Sequence, residues 1–167
     1  LVKVADSSGG HYTYDYDAND NLVKVQEKVN GTEYTTQYTY DKDNRETVTA
    51  LNNGKTYTTT YDALGRLSKK AWDTTTAFDT TYTYSPGANG SQSSQLASIT
   101  NGGSIISYVY NANGNIISIT DADGTTAYQY DELNQLVRED NHHTNQTVIY
   151  LYDAYGNILR KKIYPKT

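Results

Sequence analysis

The sequence predicts an all-β fold built from tandem antiparallel β-hairpins that stack into a curved open sheet. Three observations lead to this prediction. A tyrosine-rich motif recurs along the chain, a turn-forming residue stands at a fixed position after the motif, and a second turn signal lies between most of the motifs. Self-similarity at a fixed period is typical of architectures in which each unit packs against its neighbours. We expect no substantial helix.

The recurring motif is a pair of tyrosines two positions apart. The second tyrosine falls at 16, 40, 61, 84, 110, 130 and 152, so the period is 20 to 26 residues. Thirteen of the 18 tyrosines occupy these two slots: Tyr14 and Tyr16, Tyr38 and Tyr40, Tyr61 alone, Tyr82 and Tyr84, Tyr108 and Tyr110, Tyr128 and Tyr130, and Tyr150 and Tyr152. We therefore interpret residues 1–167 as one array of about seven repeats, at approximately 12–31, 34–54, 57–79, 80–103, 106–124, 126–145 and 148–167.

The residues that follow the second tyrosine predict a tight turn. The next residue is Asp or Asn, which can accept a backbone N–H two residues further on. These residues are Asp17, Asp41, Asp62, Asn111, Asp131 and Asp153. The slot four residues after the tyrosine holds the types that best tolerate positive φ, namely Asp20, Asn44, Gly65, Gly114, Asn134 and Gly156. The motif therefore predicts a strand, a left-handed turn and a returning strand.

A second set of turn signals lies midway between the motifs. Asn-Gly and Asp-Gly pairs favour short hairpin turns, and they stand at 30–31, 53–54, 101–102 and 123–124. Two turns per repeat leave two strands of about seven residues each. If the strands of successive repeats are neighbours, the tyrosine rings would form ladders with a spacing of about 4.8 Å. We expect such ladders, more than an aliphatic core, to hold the array together.

Three departures interrupt the repeat. Glu46 takes the aliphatic slot of the second repeat, which should loosen that hairpin. The segment 142–145, which begins His142-His143, replaces the expected Asn-Gly turn. Leu96 stands 12 positions after Tyr84, where Leu22 stands 6 positions after Tyr16. The Ser- and Gly-rich insert predicts a long, flexible loop at one hairpin tip.

Composition excludes several classes of function. A net charge of −5 disfavours binding to a nucleic-acid backbone. The sequence has no run of 18 apolar residues, so it predicts no membrane-spanning helix. Cysteine is absent, so the chain can form neither a disulfide nor a thiolate metal site, a composition compatible with an exported bacterial protein. The array begins at Leu1 without a start residue, and we expect it to be a piece of a longer protein.

The motif resembles the YD repeats of Rhs-type proteins, whose consensus runs Tyr-x-Tyr-Asp-x-x-Gly-Asn-Leu. The match is close at 61–67, Tyr-Asp-Ala-Leu-Gly-Arg-Leu, and at 152–158, Tyr-Asp-Ala-Tyr-Gly-Asn-Ile. Similar repeats occur in bacterial wall-associated proteins, insecticidal toxin complexes and teneurins. The resemblance implies a β-sheet strip that spirals into a hollow shell and encloses a C-terminal toxin domain. It implies a secreted or cell-surface protein, whose partners are its own cargo domain and the adjacent repeats.

The sequence gives little support for a metal site or a catalytic site. Residues 15–20 imitate the start of a calcium loop, but the sixth position is Asp20 rather than Gly and the twelfth is Gln26 rather than Glu. His142 and His143 are adjacent and are predicted to point to opposite faces of a strand, and His11 is the only other histidine, which disfavours zinc. No nucleophile triad, phosphate loop or pair of carboxylates emerges. We predict no catalytic residue, cofactor or metal.

Exposed tyrosine rows leave one rival function open. Flat aromatic rings can stack on sugar faces, and neighbouring Asn and Asp side chains can hydrogen-bond hydroxyl groups. The chain could then be a carbohydrate-binding or adhesion module. Unpaired strand edges also predict self-association of the isolated array.

Overall fold

The computed structural model describes residues 2–5 and 10–166 of the chain. The array was predicted to span 1–167, and its residues Leu1, 6–9 and Thr167 lie outside the described residues. The described part is all-β, apart from one short 3₁₀ turn at Ala88–Gly90. No helix in it is long and apolar enough to cross a membrane.

Fifteen strands make up the described fold. In chain order they are β1 (Val2–Ala5), β2 (His11–Tyr16), β3 (Leu22–Val29), β4 (Thr32–Tyr40), β5 (Glu46–Leu51), β6 (Thr56–Tyr61), β7 (Leu67–Trp72), β8 (Thr75–Pro86), β9 (Gln92–Asn101), β10 (Ser104–Tyr110), β11 (Ile116–Thr120), β12 (Thr125–Tyr130), β13 (Leu136–Asn141), β14 (Gln146–Tyr152) and β15 (Ile158–Pro165).

The strands form one open sheet and are hydrogen-bonded in chain order from β1 to β15. The observed registers are antiparallel, which confirms the prediction of antiparallel hairpins. From β2 onward, each even-numbered strand carries the tyrosine motif and the following odd-numbered strand returns from it. The chain divides into two compact units, Leu1–Thr81 and Tyr82–Thr167.

The turns between repeats follow the predicted signals with two adjustments. Asn30 and Gly31 both have positive φ, 51° and 82°, so they form a two-residue turn of the type that suits twisted hairpins. The 101–102 signal is displaced by one residue, because the positive-φ pair is Gly102 and Gly103 and Asn101 instead pairs with Ser104. After β5, Gly54 at φ 81° closes a longer turn in which its N–H donates to the carbonyl of Leu51.

The insert of the fourth repeat is not a long loop, so that prediction is wrong. Strand β8 continues to Pro86 and β9 begins at Gln92, so most of the extra residues lengthen the hairpin. The connection is a tight turn in which the N–H of Gly87 donates to the carbonyl of Ser91 and the N–H of Gly90 donates to that of Gly87. The Oγ of Ser93 also donates to the carbonyl of Ser85 at 2.6 Å. A short polar side chain thus adds a hydrogen bond between the two strands of the lengthened hairpin.

Burial is shallow throughout the sheet. Val148, which is 6% exposed, is the only buried hydrophobic side chain among the described residues. Along the tyrosine-bearing strands the tyrosines of the motif are mostly half-buried, while the residue between them, such as Thr39 or Gln129, is exposed. The two faces therefore differ, and the tyrosine face is the better covered one.

Candidate functional site

The tip of each hairpin is a tight turn built around the Asp or Asn that follows the second tyrosine. In the first repeat the N–H of Asp17 donates to the carbonyl of Asn21 at 2.9 Å, and the N–H of Asp20 donates to the carbonyl of Asp17 at 3.2 Å. The Oδ1 of Asp17 accepts the N–H groups of Asn19 and Asn21, both at 2.9 Å. The same four hydrogen bonds recur at the turns of Asp41, Asp62, Asn111, Asp131 and Asp153.

The left-handed conformation predicted for the fourth residue of the turn is present at all six positions. Their φ values are 62° at Asp20, 58° at Asn44, 79° at Gly65, 86° at Gly114, 61° at Asn134 and 84° at Gly156. The lengthened fourth hairpin has the same device at Gly90, with φ 75°. We call these seven positions the left-handed residues. Their carbonyl and N–H directions close the turn, which is why only Gly, Asn and Asp occupy them.

Hydrogen bonds to the turn carboxylates favour their charged form. A side-chain bond from Asn21 lowers the pKa of Asp17, and one from Arg45 lowers the pKa of Asp41. The side chain of Asn157 likewise lowers the pKa of Asp153. These aspartates already serve as acceptors within their own turns. The arrangement suits a structural role and leaves little acceptor capacity for a ligand.

In four repeats the second tyrosine of the motif is hydrogen-bonded to the repeat before it. Its hydroxyl donates to the backbone carbonyl of the residue in the aliphatic slot of the preceding repeat. The four bonds are Tyr40 to Leu22 at 2.8 Å, Tyr61 to Glu46 at 3.0 Å, Tyr130 to Ile116 at 2.9 Å and Tyr152 to Leu136 at 2.8 Å. We call this contact the tyrosine clamp.

A bulge in six of the returning strands explains the clamp. Tyr130 pairs with Leu136 and Gln129 with Arg138, so Val137 is an extra residue in the returning strand. The same register shift occurs beside Tyr16, Tyr40, Tyr61, Tyr110 and Tyr152. The ladder to the next strand then starts only at Arg138, which pairs with Ile149. The carbonyl of Leu136 is left outside this ladder, and the hydroxyl of Tyr152 supplies its hydrogen-bond donor.

The bulge also changes which residues share a face. Val25 pairs with Tyr14 and Leu22 pairs with Tyr16, so two positions three residues apart lie on the tyrosine face. The alternation of the two faces along β3 is therefore interrupted at Val23. Sequence periodicity missed the bulge, because the extra residue has no fixed type. The retention of a second tyrosine in all seven motifs, even where the first slot holds Thr59, was the signal for the clamp.

The predicted tyrosine ladder with a ring spacing of about 4.8 Å is wrong. A returning strand separates each tyrosine-bearing strand from the next, so tyrosines of successive repeats are two strands apart, or roughly 9.6 Å. The register places a residue of the returning strand opposite the tyrosine instead, as Ile119 stands opposite Tyr108. Stacked tyrosines are found along one strand, at Tyr12 and Tyr14, with ring centres 6.4 Å apart.

The histidine pair lies in a turn, not in a strand, so the prediction that the rings point to opposite faces is wrong. Strand β13 ends at Asn141, and the N–H of Asn145 donates to the carbonyl of His142 across a four-residue connection. The two imidazole rings contact edge to face with centres 5.6 Å apart. His143 Nε2 lies 2.9 Å from Asp121 Oδ2 in the turn of the preceding repeat.

Metal ligation finds no support in the described residues. They contain no group of three or more His, Asp or Glu side chains arranged to hold a metal ion. In the calcium-like segment, both carboxylate oxygens of Asp17 accept hydrogen bonds from the turn itself. Asp15 lies in β2 and pairs with Lys24.

The fold and the repeated tips define a tandem β-hairpin repeat protein. Residues 93–126 and 110–141 match the family model described as RHS Repeat. The chain is 38% identical over 128 residues to the tRNA3(Ser)-specific nuclease WapA of Bacillus spizizenii, and 39% identical over 128 residues to the tRNA nuclease WapA of Bacillus subtilis strain 168. Both alignments cover 75% of this chain and 5% of the relative. The chain belongs to the RHS, or YD, repeat proteins.

Solved structures agree on the fold. The TcdB2-TccC3 structure without the hypervariable C-terminal region has a TM-score of 0.51, with 16% identity, over 93% of this chain and 12% of that one. The Tc holotoxin pore of Photorhabdus luminescens has a TM-score of 0.50, with 16% identity, over 92% and 11% of the two chains. The chain therefore spans a small part of the two WapA relatives and of these two structures.

Proposed function

We propose that this chain is a wall segment of the shell of a secreted or cell-surface Rhs-type polymorphic toxin. In this proposal the repeats act by enclosure, and the partner is a cargo domain that follows them in the parent protein. The observation that carries the proposal is the single antiparallel sheet of strands joined in chain order, which belongs to an RHS repeat sequence. Such a sheet can grow by whole hairpins into a wall of any length.

The chemistry of the described residues supports a structural role over catalysis. The turn aspartates are occupied by backbone N–H groups, and the second tyrosines by carbonyl oxygens of the preceding repeat. The relatives are named tRNA nucleases, and the chain matches 5% of their length. We infer that any such activity in the parent protein belongs to the cargo and not to these repeats.

Limited proteolysis of the parent protein tests the enclosure. The parent is treated with protease under native conditions and again after mild destabilisation, and the fragments are identified by mass spectrometry. The downstream segment produced alone is the control, because it must be cleaved readily when nothing surrounds it. We expect the segment to survive in the native parent and to be degraded after destabilisation. Immediate cleavage of the segment while the repeats stay intact would refute enclosure.

The rival proposal, sugar binding, has its best support at one place in the first unit. The rings of Tyr57 and Trp72 contact with centres 5.2 Å apart, and Phe78 is 65% exposed beside the same shallow groove. Lys55 and Thr75 supply polar groups there. A glycan array probed with the wild-type chain and with Trp72→Ala tests it. Specific binding that Trp72→Ala abolishes without unfolding would favour this rival.

A further inference from the structure

Neighbouring hairpin tips contact each other through side chains in two different ways. In the first way, an asparagine at the left-handed position accepts two amide hydrogen bonds from the preceding repeat. Asn44 Oδ1 accepts from Asn21 Nδ2 at 2.9 Å and from Asn19 Nδ2 at 3.1 Å. Asn134 Oδ1 accepts from Asn115 Nδ2 at 2.8 Å and from Asn113 Nδ2 at 2.7 Å.

In the second way, a glycine at the left-handed position leaves room that a long side chain of the preceding repeat fills. A Cβ added to Gly65 would lie 2.7 Å from Arg45 Nη1. A Cβ added to Gly114 would lie 3.3 Å from Gln95 Nε2, and one added to Gly156 would lie 3.0 Å from Gln135 Nε2. These long side chains occupy the space that the asparagine takes in the first arrangement.

One contacting residue has the same place in its repeat in all five contacts. It stands immediately before the aliphatic slot, and we call it the reaching residue. A short reaching residue faces Asn, in the pairs Asn21–Asn44 and Asn115–Asn134. A long reaching residue faces Gly, in the pairs Arg45–Gly65, Gln95–Gly114 and Gln135–Gly156. All five pairs lie within one unit or the other, and none mixes the two types.

Geometry explains why the types do not mix. A short Asn facing Gly would leave a gap and two amide donors without their acceptor, while Arg or Gln facing Asn would compete for one space. Arg45 is also held in place, because its Nε donates to Asp41 Oδ2 at 2.8 Å and its guanidinium lies 4.5 Å from the ring centre of Tyr61. A side chain on Gly65 would have to displace it from both contacts.

We propose that the reaching residue and the next left-handed residue form a matched pair that determines which repeats fit side by side. Asn157 is the reaching residue of the seventh repeat. Its Nδ2 donates to Asp153 Oδ2 at 2.9 Å, as Asn21 Nδ2 donates to Asp17 Oδ2 at 3.0 Å. The tip of the seventh repeat is therefore shaped for a hairpin that carries Asn at its left-handed position.

A double-mutant cycle tests the pair. Gly65→Asn alone should lower the Tm by about 2–4 °C, the effect of about 1 kcal/mol in a chain of this size. Arg45→Asn added to it recreates the hydrogen bond of the Asn21–Asn44 pair and should restore part of the loss, because Asp43 stands in place of the second donor, Asn19. Gly54→Asn is the matched control, because Gly54 has φ 81° in a turn with the same backbone hydrogen bonds and has no atom of the described residues within 4 Å of its Cβ position. It should change the Tm little.

Two outcomes would overturn the proposal. One is an equal loss at Gly65→Asn and Gly54→Asn, which would assign the effect to the turn and not to the neighbouring side chain. The other is a double variant no more stable than the sum of its single variants. If Gly65→Asn prevents folding, the opposite exchange decides the matter. Asn134→Gly should lower the Tm, and Asn115→Gln added to it should restore it by recreating the Gln135–Gly156 pair.

Discussion

Replacing the second tyrosine of a motif by phenylalanine isolates the tyrosine clamp. Tyr130→Phe keeps the ring and its packing but removes the hydroxyl that donates to the carbonyl of Ile116 at 2.9 Å. A typical intramolecular hydrogen bond contributes about 0.5–1.5 kcal/mol. Both residues are half-buried, so water can partly replace the donor, and we expect a loss of about 1 kcal/mol. In a domain of this size that loss lowers the Tm by about 2–4 °C.

Tyr128→Phe is the matched control, because Tyr128 is in the same strand and its hydroxyl makes no hydrogen bond to a described residue. Thermal unfolding followed by circular dichroism should show a smaller change for the control than for Tyr130→Phe. Tyr40→Phe, which removes an equivalent bond to Leu22 in the other unit, should add its own loss independently. Equal melting temperatures for Tyr130→Phe and Tyr128→Phe would refute the idea that the hydroxyl stabilises the array.

Three further predictions follow from the tips, the charges and the edges. Gly114→Val should cost more than about 1 kcal/mol, measured by denaturant unfolding, because a β-branched residue is poorly tolerated at φ 86°; a neutral result would refute the turn assignment. Acid should destabilise the fold between about pH 4 and about pH 2, because the hydrogen bond from Arg138 lowers the pKa of Asp140 to about 2 in the folded state. The ionised Asp140 therefore stabilises the fold above the pKa of the unfolded state, and this stabilisation is lost as the pH falls through the pKa of the folded state. Thermal melts across this range check it, and Arg138→Gln should reduce the slope. Among the described residues the outer edges of β1 and β15 pair with no further strand, and Ile158, Leu159 and Ile163 of β15 are exposed. Light scattering should therefore show concentration-dependent association, and a strict monomer at high concentration would count against it.

The hairpins and their tips could be predicted from the sequence because local chemistry decides them. Asp17 closes its turn with its own side chain, and Asp20 tolerates the conformation that the turn needs. Both properties belong to single residues at a fixed spacing. The strand order follows as well, since two short turns per repeat leave each strand only its sequence neighbours as partners.

The contacts between repeats could not be predicted in the same way. The bulge at Val137 shifts the register by one residue, and no residue type at this position predicts the bulge. Without the bulge, the carbonyl of Leu136 would not be left for the hydroxyl of Tyr152. The lengthened fourth hairpin was mistaken for a loop because its Ser and Gly residues are poor strand formers alone, yet Ser93 bonds to the opposite strand.

For Asn134→Gly the turn conformation and the side-chain contacts predict different outcomes. Glycine and asparagine are both accepted at a left-handed position, which predicts that Asn134→Gly is close to neutral. The structure gives Asn134 two hydrogen bonds from the preceding repeat, so the substitution should be destabilising. The difference lies in the neighbouring tip, which is about 20 residues away in the sequence.

The strict chain order of the strands has a kinetic consequence. Every strand is hydrogen-bonded to the strands that precede and follow it in the sequence, so no pairing waits for a distant segment. Short sequence separation between contacting residues favours rapid folding, because little loop entropy is lost before contacts form. A chain that emerges from a ribosome or a narrow channel can therefore add one hairpin at a time to the edge already formed. We expect refolding to proceed in steps of about one repeat, each templated by the exposed edge of the last.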